Sequence, residues 1–175
     1  MTSRLRVALL AVSVAAASGC IGQTRTTFPP IGSTPGPVGN ATAATEQAVI
    51  GALAGVGLQA AETLRAFRPP EGALLAAAPR SVLQVALPDD PAHGFIVVYA
   101  LADPATALAA ATDMAGYIAN PTGGINFPVD SRFVLRVVGS TVVFYSWSPG
   151  SSPDARTPSI EEALTKLGTE VQIPA

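Results

Sequence analysis

Two runs rich in β-branched and aromatic side chains, Arg132 to Val138 and Thr141 to Trp147, are separated only by Gly139-Ser140. A two-residue loop with Gly first suits a type II′ turn, whose twist matches that of paired strands, so the runs are expected to form an antiparallel hairpin. So short a loop also sets the register. Val138 falls opposite Thr141, Arg136 opposite Val143, Val134 opposite Tyr145, and Arg132 opposite Trp147. One face of the hairpin then carries Arg132, Arg136, Tyr145 and Trp147. The other carries Phe133, Leu135, Val137, Val142 and Phe144, is more uniformly apolar, and is the expected core side.

A second hairpin precedes this one. Ser81 to Leu87 and Phe95 to Leu101 are apolar runs flanking the turn-rich Pro88-Asp-Asp-Pro-Ala-His-Gly94. Each hairpin leads into a helical pattern. After the first, Asp103 stands as N-cap with Pro104 at the first helical position; Leu108, Ala111, Ala115 and Ile118 share a face, and Asn120-Pro121 ends the helix. After the second, Thr157-Pro158 or Ser159 opens a short helix, with Ser159 and Glu162 spaced as a capping box and Ile160, Ala163, Leu164 and Leu167 inward. Gly168 closes it, and Thr169 to Ile173 can add a last strand. Val82-Leu83-Gln84-Val85 beside Val134-Leu135-Arg136-Val137, and Val97-Val98-Tyr99 beside Val143-Phe144-Tyr145, give the two halves a repeated look.

Ahead of both units, Val49, Leu53, Val56, Ala60, Leu64 and Phe67 recur at helical spacing, which predicts one long helix over 41–67, stopped by Pro69-Pro70. Its uninterrupted apolar run, Ala48 to Leu58, is too short to span a bilayer. The expected fold is therefore α+β: an antiparallel sheet built from two hairpin-helix units, with helices on one or both faces, preceded by a long helix. The expected domain occupies 41–175. Residues 20–40, rich in Pro and Gly and without periodicity, read as a tether.

The chain begins MTSRLRVALLAVSVAAASGC. Arg4 and Arg6 followed by the uncharged stretch Val7 to Ala17 have the order of a secretory leader, and about 16 Å of helix is half a hydrocarbon thickness. The stretch ends in Ala17-Ser18-Gly19-Cys20, which resembles the lipobox of bacterial lipoproteins, with Ala at −3 where Leu is more usual. The resemblance implies that residues 1–19 are removed, that the Cys20 thiol carries a diacylglycerol, and that acyl chains hold the protein at a cell membrane or outer membrane, facing the exterior or periplasm. Two chains suffice for stable attachment without a membrane-spanning helix. An ordinary leader cut after Ala17 is the alternative reading of the same residues.

Composition narrows the chemistry. Cys20 is the only cysteine, so internal disulfides and thiolate metal clusters are excluded. Ten basic residues less Arg4 and Arg6 leave eight against twelve acidic ones, a net charge of −4, the wrong sign for nucleic acid as a partner. His93 is the only histidine, and Asp89, Asp90 and His93 read as a solvated turn rather than a ligand set. No GxSxG, P-loop, dinucleotide-binding or HExxH pattern is present, and Glu161-Glu162 reads as a first-turn acidic pair favoured by the helix dipole. No enzyme, cofactor or metal is expected.

What remains is the first hairpin face. Arg132, Arg136, Tyr145 and Trp147 are residue types enriched at binding hot spots, and Arg132 is placed for a cation–π contact on Trp147. That face is either open for recognition or covered by the preceding helix. The expected function is thus a membrane-anchored envelope lipoprotein whose soluble domain binds an envelope protein or small ligand. A structural accessory of an envelope complex is the alternative, and an enzyme with an unrecognised site a further one, which would need a deep polar pocket around His93.

Overall fold

The computed structural model describes residues 39–174, all within one compact unit. The leader, Cys20 and the tether as far as residue 38 lie outside the described residues. In chain order the elements are α1 (Asn40–Ala54), β1 (Ala60–Glu62), α2 (Ala73–Ala76), β2 (Arg80–Val85), β3 (Phe95–Ala100), α3 (Pro104–Ala119), α4 (Pro121–Gly124), β4 (Arg132–Val138), β5 (Thr141–Trp147), α5 (Thr157–Leu164) and β6 (Thr169–Glu170). The strands form one six-stranded sheet in the order β1-β2-β3-β5-β4-β6, with every neighbour antiparallel. The fold is α+β.

The β4–β5 hairpin has the register its turn dictates: Val138 pairs with Thr141, Arg136 with Val143, Val134 with Tyr145 and Arg132 with Trp147. Gly139 sits at φ 58° while Ser140, like every other non-glycine residue among those described, has negative φ, as a type II′ turn requires. The helix expected over 41–67 ends sooner. At Gly57, φ is 77°, its N–H donates to the Ala54 carbonyl and that of Leu58 to the Leu53 carbonyl, the paired bonds of a Schellman stop. Leu53 and Leu58, both buried, make the apolar contact that accompanies it. The chain then turns into β1, an edge strand beside β2. Leu64, placed on the expected helical stripe, is fully exposed.

Both sheet faces are covered, but not by equivalent helices. Leu83, Val85, Ile96, Val98, Val134, Val143 and Tyr145 pack against α1 and α5. Val97, Tyr99, Leu135, Val142 and Phe144 pack against α2 and α3. The apparent repeat is therefore not a structural one: Leu83 and Leu135, matched in sequence, point to opposite faces, as do Tyr99 and Tyr145. Both faces being buried is why β3 and the Val142-Val143-Phe144-Tyr145 stretch of β5 show no polar alternation.

Helix α3 starts where its cap residues put it. Asp103 Oδ1 accepts from the Thr106 N–H at 2.7 Å with Pro104 in the first turn, and these bonds hold the Asp103 carboxyl below its ordinary range. Its buried face is Ala107, Ala110, Ala111, Met114, Ala115 and Ile118, with Leu108 outside. Small side chains let this helix lie close to the aromatic and branched residues beneath it. Helix α5 begins at Thr157 with Pro158 in its first turn, so Ser159 is already inside and the expected capping box does not form. Asp154 closes the turn that leads into the helix, its carboxylate accepting from the Arg156 N–H at 3.0 Å and its carbonyl from the Thr157 N–H, and no side chain caps α5. The last strand is confined to Thr169–Glu170, although Val171 still donates to the Leu135 carbonyl.

Candidate functional site

The register puts Arg132, Arg136, Tyr145 and Trp147 on one sheet face, and α1 and α5 cover it. Tyr145 is 1% exposed, and burial first, then the nearby Glu161 and Asp90 carboxylates, push its phenol far above the ordinary range. Arg136 is 7% exposed and fully engaged. Its Nε donates to the Leu167 carbonyl at 2.7 Å, one terminal nitrogen to the Gly168 carbonyl at 3.1 Å, and the other to Glu170 at 3.2 Å. These bonds satisfy carbonyls left over where α5 ends and lock the α5–β6 connection to β4. Tyr145 is thus buried away from solvent, and Arg136 is held by the fold with each guanidinium nitrogen engaged, a correction to their expected display. The reason is that α5, as well as α1, needs an apolar surface to bury Ile160, Ala163 and Leu164, and this face supplies it.

Arg132 and Trp147 are the pair that reaches the surface. The Arg132 guanidinium lies 5.9 Å from the indole centroid, and the Arg132 side chain is 58% exposed. Trp147, half-buried at the margin of the core, donates from Nε1 to Glu161 at 2.9 Å, and Arg132 approaches the same carboxylate oxygen at 3.8 Å. Glu161 is the residue that sequence reasoning missed. It lies beyond the first turn of α5, beside the inward Ile160, and its position over β4 becomes apparent only when α5 docks on this face.

These side chains border a cleft of about 310 Å³ along the outer side of β4. Arg132, Arg136, Glu161, Thr165, Glu170 and Gln172 give it polar walls over a floor of β4 backbone and Val134. Among them Arg132 is the cation with no hydrogen bond, because every guanidinium nitrogen of Arg136 is committed. Glu170 is engaged by Arg136 and Gln172, and Glu161 by Trp147. The cleft therefore offers one guanidinium whose donors are not hydrogen-bonded, hydroxyl and amide groups, and main chain. A wider hollow of about 650 Å³ lies beside β1, but Gln84 and Arg65, which line it, both donate to the Pro91 carbonyl.

The turn around His93 differs from the solvated loop expected of it. Asp89 and His93 are exposed, while Asp90 is 5% exposed and its carboxylate receives His93 Nδ1. The Asp89 N–H donates to Asp154, which tethers this turn to the start of α5. Neither of the two clefts is lined by His93. Among the described residues no three His, Cys, Asp or Glu side chains lie close enough to hold a metal ion, and no helix is long and apolar enough to cross a membrane. No protein-family model, curated protein or solved structure matches this chain.

Proposed function

We propose that the protein is a lipid-anchored component of a bacterial envelope that works by binding, and that the cleft between β4, α5 and the segment after β6 is its recognition site. The anchoring part rests on the Ala17-Ser18-Gly19-Cys20 resemblance. A thiol bearing two acyl chains would keep the domain at a bilayer by the hydrophobic effect, with no spanning helix needed. The Pro- and Gly-rich segment behind it would set the reach of the domain from the lipid surface.

The observation that carries the binding part is the spare guanidinium of Arg132 at the mouth of a polar cleft. The cleft volume lies at the lower end of what small ligands occupy. Arg132 is backed by Trp147 and Glu161, so its position is held without its donors being used up. Preorganised groups of this kind reduce the entropy lost on binding.

The test is amide NMR of the full-length chain in detergent micelles, titrated separately with a short blocked peptide, chitotetraose and dihexanoylphosphatidic acid. Saturable shifts at cleft residues with at least one of the three, lost in Arg132→Glu, are expected. A cleft that responds to none of them overturns the assignment of this site.

A further inference from the structure

The two-residue turn decides which way the main-chain groups of β4 point. Val138 and Thr141 flank it as a hydrogen-bonded pair, and antiparallel pairs alternate, so Arg136, Val134 and Arg132 direct their N–H and C=O at β5. Val137, Leu135 and Phe133 direct theirs outward. Strand β6 takes up Val137, opposite Thr169, and the Val171 N–H takes the Leu135 carbonyl. There the ladder stops. The Phe133 N–H and C=O and the Leu135 N–H have no backbone partner among the described residues. In continuing register Ile173 would face Phe133; its side chain does pack on the same α3-side core, but it forms no strand and no backbone bond to Phe133. The cleft occupies the space so left, along Ser131 to Arg136.

We infer that this cleft takes an extended segment of a partner polypeptide, added as a short strand to the open edge of β4, with an acidic side chain of that segment meeting Arg132. The inference rests on the binding reading above and names its ligand class. Outward N–H and C=O groups at alternate residues match the main chain of another extended peptide, the mode in which main-chain bonds hold the ligand and flanking side chains select it. The Ser131 N–H is taken by the Pro128 carbonyl and the Leu135 carbonyl by Val171, so the open groups are those of Phe133 and the Leu135 N–H. The stretch from Arg132 to Leu135 spans about 10 Å at the rise of a strand, enough to seat about three residues. Charge helps select the partner: Arg132 meets Glu161 only at 3.8 Å and makes no hydrogen bond, so its exposed guanidinium keeps donors for an acidic side chain, whereas Arg136 and Glu170 are hydrogen-bonded to each other.

The experiment uses the full-length chain in micelles and the blocked peptide acetyl-Val-Thr-Asp-Val-Thr-amide. The largest shifts are expected at the Phe133 and Leu135 amides, whose hydrogen exchange slows as the peptide binds. Replacing the peptide Asp by Lys is expected to weaken binding roughly two- to fivefold, the range of an exposed ion pair, and Arg132→Ala to abolish that difference. Peptide binding that leaves the Phe133 and Leu135 amides unmoved, or an Arg132→Ala protein that still discriminates, overturns the inference. A cleft that responds to chitotetraose or dihexanoylphosphatidic acid but not to the peptide overturns strand addition alone and leaves the binding reading standing. Silence to all three removes both.

Discussion

Arg132 and Trp147 stand opposite each other across the β4–β5 ladder, with the guanidinium 5.9 Å from the centre of the indole ring. The two residues do different jobs. Arg132 is mostly exposed, so Arg132→Ala is expected to cost less than about 1 kcal/mol of stability, the scale of an exposed cation–π contact or ion pair. Trp147 buries part of its ring at the core margin and satisfies Glu161, so Trp147→Ala is expected to cost about 1–3 kcal/mol. Urea unfolding of the two variants checks the order. Equal losses would mean that Trp147 is not anchored as described.

Arg136 serves the fold. Arg136→Ala leaves the Leu167 and Gly168 carbonyls without their charged donor and is expected to destabilise by about 2–3 kcal/mol. Ligand affinity per folded molecule, measured by NMR titration, is expected to be less affected than in Arg132→Glu.

Two glycines separate backbone conformation from close packing. Gly57 has φ 77° and nothing near the place where a Cβ would go, so Gly57→Ala is expected to cost about 1–2 kcal/mol, the left-handed penalty alone. Gly168 has φ 43°, and a Cβ there would run into the Val137 carbonyl oxygen. Gly168→Ala is therefore expected to cost about 2–4 kcal/mol, because overpacking adds to the same penalty. Thermal or urea melts of the pair decide it. A smaller loss at Gly168 would contradict the packing of the α5–β6 turn on β4.

Hydrogen bonds from the Arg156 side chain, followed by the N–H groups of Arg156 and Asp89, hold the Asp154 carboxyl well below the usual carboxylate range. A depressed pKa stabilises the fold above the unfolded value, near about pH 4, and that contribution is lost progressively as pH falls toward the folded value. Asp154→Asn is thus expected to be less stable than the native chain at pH 7, with the gap narrowing below about pH 4. Urea midpoints measured from pH 7 to pH 2 give the test. A gap that widens toward acid would contradict the sign.

The parts of this fold that were legible in the sequence are those where two local signals agree. Around Gly139-Ser140, turn chemistry and strand alternation point to one register, and every pair from Arg132 to Thr141 follows it. At Asp103-Pro104, cap and first-turn residue coincide. Where a single signal stood alone it misled. The apolar spacing runs on through Ala60 and Leu64 by coincidence, while Gly57, the residue that stops the helix, lies inside the run Ala48 to Leu58 without interrupting its period. Ser159 and Glu162 have capping-box spacing, but Pro158 fits the first turn and moves the helix start to Thr157. Strand β1 and helix α2 are too short and too rich in Ala to show a period at all. The cleft was hidden for a different reason. It depends on where α5 docks and where the chain leaves the β4 ladder after Val171, which are tertiary events with no local mark in the residues.

Anchoring is tested most sharply by the mass of the N-terminal peptide of the mature protein, recovered from the membrane fraction of cells that make it. Lipid anchoring through this thiol predicts a peptide that starts at Cys20 and carries a diacylglyceryl group on its sulfur, with or without a further acyl chain on its amine. A membrane-extracted protein whose first residue is another one, or is Cys20 with a free thiol, would contradict it.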